Sequence, residues 1–101
     1  MSTDIVIEKK EKTKQRFKEP SKYKVIVLND NYTPMDFVVA MFMEVFRHDS
    51  KVAIALTMKI HNDGSAVAGT YTYEIAEQKG IEATNMAREN NFPLMIKVEA
   101  E

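Results

Sequence analysis

Three consecutive short polar residues, Asn29-Asp30-Asn31, separate an apolar run from a segment with helical periodicity. Their side chains offer amide and carboxylate oxygens as hydrogen-bond acceptors, and a neutral His61, further along, offers an acceptor nitrogen. About three such acceptors converging on one point suit a primary ammonium, which has three donors and no acceptor. A free protein N-terminus is that group at neutral pH, because its amine has a pKa of about 8. Met35, Val38, Ile60 and Leu94 could line an apolar slot beside it, and burying one large side chain there is worth roughly 1.5–3 kcal/mol. Such a site reads a free amine together with a bulky apolar side chain, a form of terminal-amine capture. The plainer alternative is that Asn29, Asp30 and Asn31 only make a turn, since these side chains bond nearby backbone and tolerate unusual dihedrals. In that reading Met35, Val38 and Leu94 are core, and His61 caps a helix end.

Enzymatic signatures are sparse. The chain has no glycine-rich phosphate loop, no HExxH, no GxSxG elbow, and no set of carboxylates and histidines dense enough for a transition-metal site. His48 and His61 are its two histidines. A hydrolase would need His61, Asp30 and a hydroxyl such as Thr33 to converge, whereas threonine nucleophiles usually take their base from an N-terminal amine. The expectation is a non-enzymatic binding protein with no cofactor and no metal.

The elements that must position these groups follow from periodicity. Tyr23 to Leu28 reads as a buried strand. Thr33 is placed as the N-cap of a first helix, with Pro34 at its first position and Asp36 three residues after the cap. That helix is expected from Pro34 to about Arg47, with Val38, Met41, Phe42 and Val45 as its buried stripe, widened by Phe37, Val39 and Met43. A second helix starts after Asp49 or Ser50, buries Val52, Ala55, Leu56 and Ile60, and ends at Asn62-Asp63-Gly64 with glycine left-handed. Ser65 to Tyr71 is a strand in which Gly69 allows close backbone approach. A third helix, capped by Thr72, carries a small-residue stripe of Ala76, Gly80, Ala83 and Ala87, has Glu74 in its first turn, and is stopped by Pro93. Leu94, Ile96 and Val98 then alternate with Met95, Lys97 and Glu99 as a final strand. The order β-α-α-β-α-β implies an α+β sandwich, a three-stranded antiparallel sheet covered by three helices.

At 101 residues the chain has the size of one domain. A net charge of −1 gives no global electrostatic reason to seek nucleic acid or an anionic membrane, and no apolar run approaches the ~18–20 residues of a span. The absence of cysteine removes disulfides, thiol catalysis and cysteine metal sites, and with no apolar leader at the start it points to the cytoplasm. Residues 1–21 hold six Lys/Arg and four Asp/Glu, net +2, against eight and eleven, net −3, in the remainder. Lys9 to Lys18 has little to bury except Phe17, so residues 1–21 read as a flexible extension and 22–101 as the folded domain.

The run YKVIVLNDNYTPMDFVV resembles the signature of the ClpS family, adaptors that hand substrates to a bacterial Clp AAA+ protease. The similarity continues through Met58-Lys59-Ile60-His61, Gly64, Ala68-Gly69, Thr72 to Lys79, Ala87-Arg88-Glu89-Asn90 and Pro93-Leu94, covering about residues 22 to 98. The resemblance implies the same sandwich fold. It also implies binding of substrates with N-terminal Leu, Phe, Tyr or Trp, the N-end rule degron, for delivery to a ClpA-like unfoldase, by a protein working as a monomer. By resemblance, Asn29, Asp30-Asn31 and His61 hold the α-amino group. Thr33, Met35, Val38, Thr57, Ile60 and Leu94 surround the side-chain pocket, and Glu74 with Lys79 faces the unfoldase N-domain. Two positions depart from the family pattern: Asn31 stands where a second acid is common, and Thr57 where a methionine often stands. The alternative function is a scaffold or interaction module that docks a partner through an exposed helix face, with no amine pocket.

Overall fold

The computed structural model describes residues 21–101. The expected extension over residues 1–21 therefore lies, but for its last residue, outside the described residues. Tyr23–Leu28 forms strand β1, Met35–Glu44 helix α1, Ser50–Asp63 helix α2, Ser65–Tyr71 strand β2, Tyr73–Glu89 helix α3 and Met95–Ala100 strand β3. The sheet order is β2-β1-β3, antiparallel throughout, so the first strand becomes the central one. The α+β sandwich expected from the periodicities is the fold observed.

Alternation along β1 sorts its side chains. Tyr23, Val25 and Val27 are buried beneath the helices, while Lys24, Ile26 and Leu28 lie half-exposed on the other face. Val38, Met41, Phe42 and Val45 of the first helical segment meet the inner face as anticipated, with Phe42 and Met41 wholly buried. On α3 the stripe Ala76, Gly80, Ala83 and Ala87 is buried, and a Cβ at Gly80 would lie 3.4 Å from a Val98 methyl, so the small residues set how closely this helix lies on β3.

A β-bulge interrupts the β1–β2 ladder: Val25 pairs with Gly69 but Ile26 with Val67, which leaves Ala68 as the extra residue. His48, in the α1–α2 connection, donates from Nε2 to the Ala68 carbonyl at 2.7 Å. A carbonyl can only accept, so Nε2 carries the proton, and the histidine pins the connection to the bulge. Gly69 is crowded by its own strand, since a Cβ there would overlap the Tyr71 hydroxyl.

Four local expectations are corrected. Thr33 does not cap α1. Pro34 occupies the N-cap position and no side chain bonds the helix end, because the Thr33 hydroxyl donates instead to the Asp30 carboxylate, a stronger charged acceptor. The helix also ends at Glu44 rather than near Arg47, since Arg47 takes φ +59 and turns the chain while Lys79 donates to the Val45 carbonyl at 2.8 Å. The buried face of α2 is Ala53, Thr57 and Ile60 with Leu56 partly covered; Val52 and Ala55 are exposed. Packing against α1 and β2 selects the face carrying small Ala53 over the more hydrophobic Val52. Thr72, finally, sits at the N-cap of α3 without a side-chain capping bond.

The ends of α2 match their sequence signals. Asp49 accepts from the Val52 amide at 2.9 Å, and Gly64 closes the helix at φ +95 with its amide on the Ile60 carbonyl. No helix among the described residues is long and apolar enough to cross a membrane. Asp49→Ala should cost about 1 kcal/mol through loss of the cap, and Gly64→Ala at least about 1 kcal/mol because alanine resists positive φ. Urea unfolding checks both, and wild-type midpoints would refute this account of the α2 termini.

Candidate functional site

The site forms where β1 hands over to α1. Beyond Leu28 the ladder gains one more bond, from the Asn29 amide to the Gly64 carbonyl at 2.9 Å. Gly64 is the residue that ends α2, so this bond brings the loop beside the last helical turn, which carries His61. Asn29 and His61 are both exposed at the rim.

Asp30 organises the turn that follows. One carboxylate oxygen accepts the Tyr32 and Thr33 amides, each at 2.7 Å, and the other accepts the Thr33 hydroxyl at 2.8 Å. Partial burial pushes its pKa up, but the Thr33 hydroxyl, the Thr33 and Tyr32 amides and the nearby Arg88 charge together outweigh it and hold the carboxyl below its ordinary value. Asp30 is therefore ionised at neutral pH. With two bonds on Oδ1 and one on Oδ2, the second oxygen keeps a lone pair for a further donor.

Below the rim lies a small cleft, partly open to solvent, lined by Asn29, Asp30, Thr33, Met35, Val38, Thr57, Ile60, His61 and Leu94. Val38, Thr57, Ile60 and Leu94 are each at most 5% exposed and make an apolar floor. Thr57 belongs to that floor because its hydroxyl is turned back to the Ala53 carbonyl, 2.8 Å away within the helix. Met35 stands at the mouth, 41% exposed, on a flexible side chain able to adapt to what enters.

Of the ten residues expected around an amine and its side chain, nine meet in this cleft. Asn31 does not line it and is exposed. Glu74 is exposed in the first turn of α3, as its position suggested, but Lys79 is half-buried and its ammonium is held by the end of α1. Arg88, quoted above only as part of the family resemblance, was given no role from the sequence. Its charge acts on Asp30, yet the two are far apart in the chain and no local pattern joins them. No group of three or more His, Asp or Glu that could hold a metal ion exists among the described residues.

Acceptors and one carboxylate over an apolar slot are chemistry for binding rather than for bond cleavage. Comparison with known proteins agrees. Residues 18–97 match the family model described as ATP-dependent Clp protease adaptor protein ClpS. The ATP-dependent Clp protease adapter protein ClpS of Treponema denticola is 46% identical over 85 residues, spanning 84% of each chain. Its counterpart from Helicobacter hepaticus is 49% identical over 81 residues, 80% of this chain and 82% of that one. Among solved structures, Agrobacterium tumefaciens ClpS2 bound to L-phenylalaninamide superposes with a TM-score of 0.80 at 42% identity, covering 82% of this chain and all of the other. With the family model matching residues 18–97, relatives 46% and 49% identical over four-fifths of the chain, and the fold shared, the chain belongs to the ClpS family of Clp protease adaptors.

Proposed function

We propose that this adaptor binds polypeptides whose free N-terminal residue is bulky and hydrophobic, Leu, Phe, Tyr or Trp, and delivers them to a Clp AAA+ unfoldase of the ClpA type. The observation that carries the reading is the union, in one cleft, of the acceptors Asn29, Asp30 and His61 with the floor Val38, Thr57, Ile60 and Leu94. The α-ammonium donates to the rim while Asp30 supplies the opposite charge, and the first side chain fills the slot beneath Met35. Thr33 serves by fixing Asp30. Asn31 adds an exposed neutral amide near the mouth, so the ammonium meets a single carboxylate in this loop. L-phenylalaninamide, found on the Agrobacterium relative, unites the same two features, a free amine and a bulky apolar side chain.

Residues 22–101 are the recognition core, acting as a single copy in the cytoplasm, and residues 1–21 extend it. Glu74 is the acid offered to the unfoldase N-domain, and Lys79 holds that part of α3 against α1. A docking module without an amine pocket would leave the buried floor beside the polar rim without a purpose.

Peptides with a free N-terminal Leu or Phe should bind, and their N-acetylated copies should not, as followed by fluorescence anisotropy. His61→Ala and Asn29→Ala should each weaken binding by about 1–3 kcal/mol while melting near the wild-type temperature. Equal affinity for acetylated peptides would sink the proposal.

Affinity should also depend on pH through the ligand. Asp30 has its pKa depressed, so it stays charged throughout mildly acidic conditions, whereas the ammonium loses its proton above about pH 8. Binding is then lost as pH rises, by roughly tenfold per unit beyond the amine pKa. For stability the sign is opposite: the turn's contribution is complete above the unfolded carboxyl pKa and disappears as pH falls through the lower folded value. Titrations between pH 6 and 10 that show no alkaline loss would contradict the ammonium as the bound species.

Thr57 makes the third test. A short threonine, its hydroxyl engaged by Ala53, leaves room where a methionine would fill the wall. The gap between Leu and β-branched first residues should therefore be small, and Thr57→Met should widen it by roughly 1–3 kcal/mol at most. An unchanged Ile-to-Leu affinity ratio in the variant would remove residue 57 from the ligand's surroundings.

A further inference from the structure

Arg88 does not line the cleft, yet it holds the segment that closes it. From the last turn of α3 its Nη1 donates to the Phe92 carbonyl at 2.8 Å and to the Leu94 carbonyl at 2.9 Å, while Nη2 lies 3.8 Å from the Met95 sulfur. The intervening chain is a tight reversal: Asn91 takes φ +62 with its amide on the Arg88 carbonyl, and the Phe92 amide returns to the Ala87 carbonyl. One side of this reversal is anchored by the Phe92 ring, set edge-on to Phe37 of α1 at 4.9 Å between centroids. The other side is Leu94, 1% exposed and part of the cleft floor. Arg88 thus bonds the carbonyls on either side of Pro93, a residue with no amide hydrogen to give the turn.

We propose that Arg88 is a positioning residue of the recognition pocket: by fixing the Phe92 and Leu94 carbonyls it sets how deeply Leu94 closes the slot, and thereby which first side chains fit. This rests on the terminal-amine reading above. One planar nitrogen with two protons makes both bonds, and its orientation is held by the rigid guanidinium, so a lysine, whose ammonium rotates on a flexible stem, would fix the carbonyls less well. The Arg88 charge also reaches Asp30, which puts the clamp on the same flank as the acceptor rim.

The test compares wild type with Arg88→Ala, Arg88→Lys and Leu94→Ala in peptides that differ only in a first residue of Leu or Ala, each free and N-acetylated. Arg88→Ala should compress the Leu-to-Ala affinity ratio by a factor of about three or more, in the direction of Leu94→Ala, with Arg88→Lys between and the preference for a free amine kept. A wild-type ratio in a variant that has merely lost thermal stability overturns the inference. So does an equal loss for both first residues that lysine restores, which would mark a role of charge alone. If Arg88→Ala does not fold, Arg88→Lys carries the comparison. If wild type itself ignores acetylation, the amine reading fails, and the clamp is judged separately on nuclear Overhauser contacts from the Leu94 methyls to Ile60 and Val38. Weakened contacts in the Arg88 variants support it, and unchanged contacts overturn it.

Discussion

The bond from the Asn29 amide to the Gly64 carbonyl is the constraint on which the site depends. It is a single backbone contact, but it carries the β1–β2 pairing past the last residue of the strand and fastens the polar loop to the end of α2. The contact requires Gly64 in the left-handed conformation, since that is how α2 stops and the chain turns into β2. Asn29 and His61 are thereby brought to one rim although a whole α-α unit separates them in the chain. Asp30 then spends three hydrogen bonds on the shape of its own loop, so the rim is built before a ligand arrives and little ordering entropy is charged to binding.

Specificity divides between two kinds of group. The rim is polar and exposed, and it can distinguish an amine from an amide by donors and charge. The floor is apolar and closed, and in the proposed role it measures the volume of one side chain. Thr57 shows how the chain keeps these functions apart, because a hydroxyl in the floor would demand a partner if it were not bonded within its own helix.

Much of this was legible in the sequence where one-dimensional pattern and packing agree. The alternation of β1, the stripe of α1, the small residues of α3 and the Asp49 and Gly64 termini all express local periodicity or backbone preference, and all are found. Reading failed where tertiary partners compete. Thr33 looked like a helix cap, but an ionised Asp30 three residues earlier is the better acceptor. The face of α2 slipped because hydrophobicity favoured Val52 while close packing needed Ala53. The bond from Lys79 to the Val45 carbonyl was likewise invisible in the sequence, since only the fold brings that helix end beside it. The family resemblance marked ten positions that periodicity alone assigns to core, cap or turn, and nine of them line one cleft. Membership of a loop does not say which way each residue faces, and Asn31 is exposed outside the lining of the cleft.

The two outer strands bear on a different danger for a protein whose sheet has two open edges. An extended chain can add itself to any open sheet edge through backbone bonds alone, without regard to its end. Here β2 is kinked by the bulge at Ala68, whose carbonyl is already taken by His48, and β3 carries Lys97 and Glu99 in a 3.1 Å ion pair. Bulges and charges of this sort make poor templates for a strand. Blunted on both flanks, the molecule discourages indiscriminate adhesion along the length of a chain and leaves discrimination to the terminus.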